Sequence, residues 1–191
     1  MLNLFKNIIM TPFKIPKNNW KLMPIESLKF ILDEGKDYLG YTLSESDKIT
    51  NRAYSLIVLL SAILSAIVGY TFVKIQSSEI SNTIFMNLYL SIIVSALIVS
   101  LATLVFPRSL MQKGKKPSKL AQESFLLNPK LSKDEIYLSF VIREIEDTQD
   151  KIDFNLLKNE SRRNKLEVIM YLIAILLPIY LIISFCIIKT C

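Results

Sequence analysis

The sequence predicts an all-α membrane protein with three transmembrane helices, an N-terminal cytoplasmic helix, and a long cytoplasmic helix continuous with the third span. Residues 54–73, 84–106 and 168–188 contain no Asp, Glu, Lys or Arg, so every charge of the 191-residue chain falls outside them. A helix needs about 20 apolar residues to cross a hydrocarbon core of roughly 30 Å, and each run is that long. Lys and Arg are also unevenly spread: 8 in 1–53 and 13 in 107–167, against 1 in 74–83 and 1 in 189–191. Cytoplasmic flanks retain positive charge. The bias predicts that the N-terminus and 107–167 are cytoplasmic, with 74–83 and the C-terminus on the other side.

Residues 1–24 carry Lys6, Lys14, Lys17 and Lys21, broken by Pro12, Pro16 and Pro24, and lack the long apolar stretch of a signal peptide. Leu2, Leu4, Phe5, Ile8 and Ile9, followed by Phe13 and the sole Trp20, suit a membrane-surface anchor. A tail without fixed structure is the other reading. Over 25–53, Leu28, Ile31, Leu32, Leu39, Leu43, Ile49 and Ala53 share one broad helical stripe, which runs unbroken into the first span. Gly35 and Gly40 are expected to loosen this cytoplasmic helix, each costing about 1 kcal/mol against Ala.

The hairpin 54–106 consists of two spans, 54–73 and 84–106. The first carries Ser61, Ser65 and Gly69 beside Ala62 and Ala66, a small-residue face expected to pack closely on another helix. The second carries Asn87, Ser91 and Ser95 at four-residue spacing and stops at Phe106-Pro107-Arg108. These three polar residues read either as lining a pore or as hydrogen-bonding between packed helices.

The segment 107–167 opens as a Gly- and Pro-bearing loop. Ser132-Lys-Asp-Glu135 is a capping box, with reciprocal side-chain bonds that start a helix. No Gly follows, and the next proline is Pro178 inside the third span, 168–188, so one helix is expected from 133 through 188. Its 3-4 stripe runs through Leu138, Val141, Ile145, Thr148, Ile152, Asn155, Asn159, Arg162 and Leu166. Polar residues on such a stripe set register in a coiled coil, or face water around a cavity. Asn155 and Asn159 are candidate pore-lining residues on the second reading. Arg162 would then meet its symmetry mates, neutralised by an anion or by Glu160.

Composition removes much chemistry. Without His there is no His general base, Ser-His-Asp triad or His-ligated metal. Cys186 and Cys191 cannot make a four-ligand metal site, and their spacing gives no reason to expect a disulfide. The four glycines form no phosphate-binding motif. No catalytic residue, metal or cofactor is therefore expected, nor an enzyme. Two basic clusters remain: Arg108, Lys113, Lys115, Lys116 and Lys119, and then Arg162, Arg163 and Lys165. Each reads as a phosphate-binding candidate or as the basic flank that insertion and anionic lipid favour.

The order of parts carries a resemblance. A cytoplasmic helix ending Asp47-Lys48-Ile49-Thr50-Asn51-Arg52-Ala53 leads into a two-span hairpin; a helix bearing Asp150-Lys151-Ile152-Asp153-Phe154-Asn155 leads into a last span. Over roughly 25–106 this is similar to the SLATT-type and Pycsar membrane effectors of bacterial anti-phage systems. The added helix and third span resemble a Hailong-type membrane effector. The resemblance implies a homo-oligomeric inner-membrane ion channel, a tetramer of four copies, that depolarises the membrane. It also implies a nucleotide or short DNA oligomer signal made by a partner nucleotidyltransferase. A membrane-anchored scaffold or interaction protein without a pore is the alternative.

Overall fold

The computed structural model describes residues 13–16, 18–77, 82–106, 109–115, 117–121 and 123–190. These residues are helical throughout, apart from turns and short connections. A 3-10 turn, Trp20–Leu22, precedes α1 (Ile25–Gln76), α2 (Asn82–Val105), the short α3 (Pro117–Leu120) and α4 (Glu123–Leu126), and α5 (Lys133–Thr190). Three of them, α1, α2 and α5, are long and apolar enough by length and composition to cross a membrane. α1 runs through the expected junction at 53 without a break, and α5 contains Pro178 and continues past it.

α5 begins where its capping box demands. The Ser132 N–H donates to Glu135 Oε2 at 2.8 Å, and the Glu135 N–H donates to Ser132 Oγ at 3.2 Å. Both amides belong to the helix start, where backbone donors lack intrahelical acceptors. Ser132→Ala should cost about 1 kcal/mol. Faster amide exchange confined to the first turn of α5 would register the loss.

The chain divides into two compact units, unit 1 comprising Met1–Glu45 with Ser109–Lys158, and unit 2 comprising Ser46–Arg108 with Asn159–Cys191. In unit 1 the apolar stripes of α1 and α5 bury Leu28, Leu32, Leu138, Val141 and Ile145, with Ile15, Trp20, Met23 and Ile25 packed against them. Burying each large side chain contributes about 1.5–3 kcal/mol. Ile15, Trp20 and Met23 of the N-terminal segment thus pack on unit 1's own core, whereas Phe13 stays 47% exposed. Leu2, Leu4, Phe5, Ile8 and Ile9 lie outside the described residues. Of the stripe expected on α1, Leu28, Leu32, Leu39, Ile49 and Ala53 are buried, whereas Ile31 is 48% exposed and Leu43 is half-buried.

The two glycines expected to loosen α1 serve close approach instead. A Cβ on Gly35 would stand 3.3 Å from Thr148 Cγ2, and one on Gly40 would stand 2.7 Å from Lys113 Nζ. At Gly35 a side chain would press on Thr148 of α5, whereas at Gly40 it would have to move the flexible end of Lys113.

Unit 2 buries Leu90, Val94, Leu97, Leu101 and Leu104 of α2 at alternating three- and four-residue intervals, against Ile49, Ala53 and Leu60 of α1 and Leu166, Ile169 and Ile173 of α5. This spacing keeps one helix face on its neighbours. Exposed aromatics gather towards both ends of the three apolar runs: Tyr54, Phe106 and Tyr171 at one, Tyr70, Phe72, Phe85, Tyr89 and Phe185 at the other. Aromatic side chains at both ends are the pattern of a membrane's two headgroup layers. Tyr54 and Tyr70 stand about 24 Å apart along α1 at 1.5 Å per residue, somewhat less than the roughly 30 Å of a hydrocarbon core.

Candidate functional site

Polar side chains concentrate in three places. In unit 2, Arg162 of α5 reaches both other long helices. Its Nη1 donates to the Ser46 carbonyl at 3.3 Å and to Ser46 Oγ at 2.7 Å; its Nη2 donates to Thr50 Oγ1 at 3.3 Å and to the Leu104 carbonyl at 3.1 Å. Leu104 stands at the end of α2, where the last carbonyls have no intrahelical donor and carry the negative end of the helix dipole. Lys165 adds a second cation there, its Nζ donating to Thr103 Oγ1 at 2.7 Å. A guanidinium fork supplies several donors in one plane, which is why one Arg can serve three helices.

The expected stripe had Arg162 turned towards its symmetry mates. The chain instead supplies its partners from α1 and α2. Arg163 is exposed, 4.0 Å from Glu167 Oε1. The second basic cluster therefore divides into one part-buried side chain, Arg162, that reaches the end of α2, and two exposed ones, Lys165 on Thr103 and Arg163 near Glu167.

In unit 1 the 109–115 loop is tied to α5. Asn155 is fully buried; its Oδ1 accepts the Met111 N–H at 3.0 Å, and its Nδ2 donates to the Met111 carbonyl at 2.9 Å and to Thr42 Oγ1 at 3.2 Å. One side-chain amide thus pairs both backbone groups of a loop residue, as a neighbouring strand would. Next to it, Lys115 Nζ lies 2.8 Å from Glu144 Oε2 and 3.2 Å from Asp147 Oδ2. Lys151 Nζ lies 2.9 Å from the same Asp147 oxygen and donates to the Gly114 carbonyl at 3.3 Å. Lys113 Nζ stands 4.0 Å from Asp37. Two further ion pairs fasten the N-terminal segment: Lys14 to Glu146 at 3.1 Å and Lys21 to Glu135 at 2.7 Å.

Of the first basic cluster, Lys113 and Lys115 lie on this loop beside carboxylates, and Lys119 falls in α3. Arg108 and Lys116 lie outside the described residues.

Two carboxylates of unit 1 are shifted. Burial pushes Asp147 up, but hydrogen bonds from Lys151 and Lys115, with their charges, outweigh it and hold the carboxyl below its ordinary 3.8. The hydrogen bond from Lys21, then that from the Ser132 N–H, holds Glu135 below its ordinary 4.5. A depressed native pKa stabilises above the unfolded value and is lost as pH falls through the native one. Unit 1 should therefore keep both contributions above pH 4.5 and lose them progressively as the pH drops below 3.8. The sole tryptophan, Trp20, packs on this unit's core, so its fluorescence in an acid titration checks the loss.

Within the spans, Asn87 is 2% exposed and its Oδ1 accepts a hydrogen bond from the Tyr180 hydroxyl at 2.8 Å. Ser91 Oγ donates to the Asn87 carbonyl at 2.8 Å, within α2. Ser95 is exposed. Asn155 and Asn159 are both buried, at 0% and 7%. The row 87, 91, 95 thus turns one residue to α5, one along its own helix and one outward. The small-residue face of α1 also stays open: Ala62, Ser65, Ala66 and Gly69 are exposed, and nothing lies within 4 Å of where a Cβ on Gly69 would be.

Sequence reasoning missed Thr42, Ser46 and Thr50, the α1 partners of Asn155 and Arg162. Their four-residue spacing continues the face of Leu28, Leu32 and Leu39, and a polar continuation opposite the polar stripe of α5 was the available signal. It also missed Glu144, Asp147 and Lys151 as partners of the basic loop, which no local motif links to it.

No protein-family profile, no curated protein and no solved structure matches this chain. The geometry itself defines the class: an all-helical protein with three helices of membrane-spanning length and composition, braced by buried polar ties.

Proposed function

We propose that the chain is the subunit of a homo-oligomeric ion channel in a bacterial inner membrane, with its N-terminus and unit 1 cytoplasmic and its C-terminus external. It acts as an anti-phage effector, gated by a nucleotide or short oligonucleotide from a partner nucleotidyltransferase, and depolarises the membrane when open. One observation carries the oligomer: the chain's own helices leave Ala62, Ser65, Ala66 and Gly69 uncovered. In lipid, where apolar burial gives no drive, such small residues let backbones of separate copies approach closely. A pore needs identical walls repeated around an axis. The resemblance in layout supplies the anti-phage role and the signal.

A scaffold without a pore is the second reading, favoured by a specific observation. Asn87, Asn155 and Asn159, candidates for a conduction path, are buried in the chain's own packing. Conductance of the purified protein in planar bilayers, with and without cyclic nucleotides or short DNA oligomers, separates the two. The channel reading expects a current that changes with one of these signals. Silent bilayers over well-assembled oligomers would overturn it in favour of the scaffold.

A further inference from the structure

The basic cluster of 108–119 reads either as a phosphate-binding candidate or as a basic flank; of its residues, Lys113 and Lys115 stand near the chain's own carboxylates. Among the described residues, Lys115 and Lys151 stand against Glu144 and Asp147, and Lys113 lies 4.0 Å from the exposed Asp37. Lys115 is the centre of this group. Its side chain is 19% exposed and that of Glu144 11%, so the pair is shielded from much of the water that weakens surface ion pairs. Beside it, the Met111 backbone is held on Asn155 and the Gly114 carbonyl on Lys151. The same few side chains therefore hold the loop and occupy the charge an anion would need.

We propose that Lys115 is an exchange point. A phosphate-bearing anion takes it only by displacing Glu144 and Asp147, so that anion binding and release of the 109–115 loop from α5 are one event. This rests on the channel reading only in taking loop release as the step that gates the pore. The coupling is reciprocal: whatever weakens the carboxylate hold tightens anion binding, and the anion loosens the loop by the same factor. The phosphate can belong to a soluble nucleotide or to a lipid headgroup, and the two sources are separable.

The test uses the full chain in phosphatidylcholine nanodiscs, with inorganic pyrophosphate as the soluble probe. A second preparation in phosphatidylglycerol, without pyrophosphate, is the lipid arm. The Met111 amide is the reporter, because its N–H is held by Asn155. Pyrophosphate, or phosphatidylglycerol if headgroups are the source, should speed Met111 exchange by roughly tenfold, the value of one lost partly buried ion pair. The double variant Glu144→Gln with Asp147→Asn should exchange fast without any anion and bind pyrophosphate roughly tenfold more tightly. Lys115→Gln should also free the loop but bind pyrophosphate more weakly. These opposite affinities exclude simple misfolding, which would weaken binding in both. Met111 exchange unchanged in every arm, or equal affinities in wild type and double variant, would overturn the exchange point even if current flows. Bilayers silent for wild type and variants alike would instead sink the channel reading and leave the exchange result standing.

Discussion

Replacing Arg162 with Ala should be among the most damaging single changes in the protein, at about 3 kcal/mol. Hydrogen bonds from an ionised donor contribute roughly 1.5–3 kcal/mol, and stranding a buried partner adds its desolvation. The guanidinium makes four such bonds, and the Ser46 it serves is fully buried. Arg162→Lys keeps the charge near the end of α2 but lacks the fork, so it should recover only part of the loss. Helix content followed by circular dichroism in mixed micelles of increasing dodecyl sulfate content would measure both. Equal midpoints for wild type and Arg162→Ala would mean that the bonds are too weakly formed to matter.

Asn155→Leu should cost unit 1 a similar amount, about 3 kcal/mol, because it leaves the Met111 N–H and C=O without their partner at a fully buried position. Leu matches Asn in heavy-atom count and branching but its two methyl groups are bulkier than the amide, so overpacking adds to the lost hydrogen bonds. Asn155→Asp is the sharper variant. It keeps an acceptor for the Met111 N–H but sets a carboxylate against the Met111 carbonyl. Burial raises a carboxyl's pKa, and a group with a raised native pKa is less destabilising once protonated. The Asp variant should therefore regain stability on acidification, where the wild type loses it below pH 3.8. Urea unfolding followed by Trp20 fluorescence at several pH values would show the opposite slopes.

How much of this the sequence disclosed depends on the distance over which each interaction acts. The long helices were legible because charge-free runs and helical stripes are local records of burial. The start of α5 was legible because a capping box is complete within four residues. The polar stripe of α5 was legible as a row, but its partners were not. Asn155 meets Thr42 across 113 positions and Arg162 meets Ser46 across 116. Nothing local distinguishes a side chain that will face a copy of itself from one that will face the other end of its own chain. The partners of the basic loop were hidden for a related reason: counting Lys113 and Lys115 registers charge, while the acids near them lie on α1 and α5. Trp20 shows the same limit, since an amphipathic ring suits a headgroup layer and the core of unit 1 equally well.

The Arg162 contact also has a history during synthesis. Leu104 and its cationic partner are 58 positions apart. At 5–20 residues per second, about 3–12 s separate the emergence of the two from the ribosome. Through that interval the first two spans are complete, yet the end of α2 has no guanidinium to receive its last carbonyls. The hairpin must wait for the chain that finishes it. A chain arrested between Arg108 and Arg162 would thus leave the Leu104 carbonyl without this donor, and completing translation would supply it.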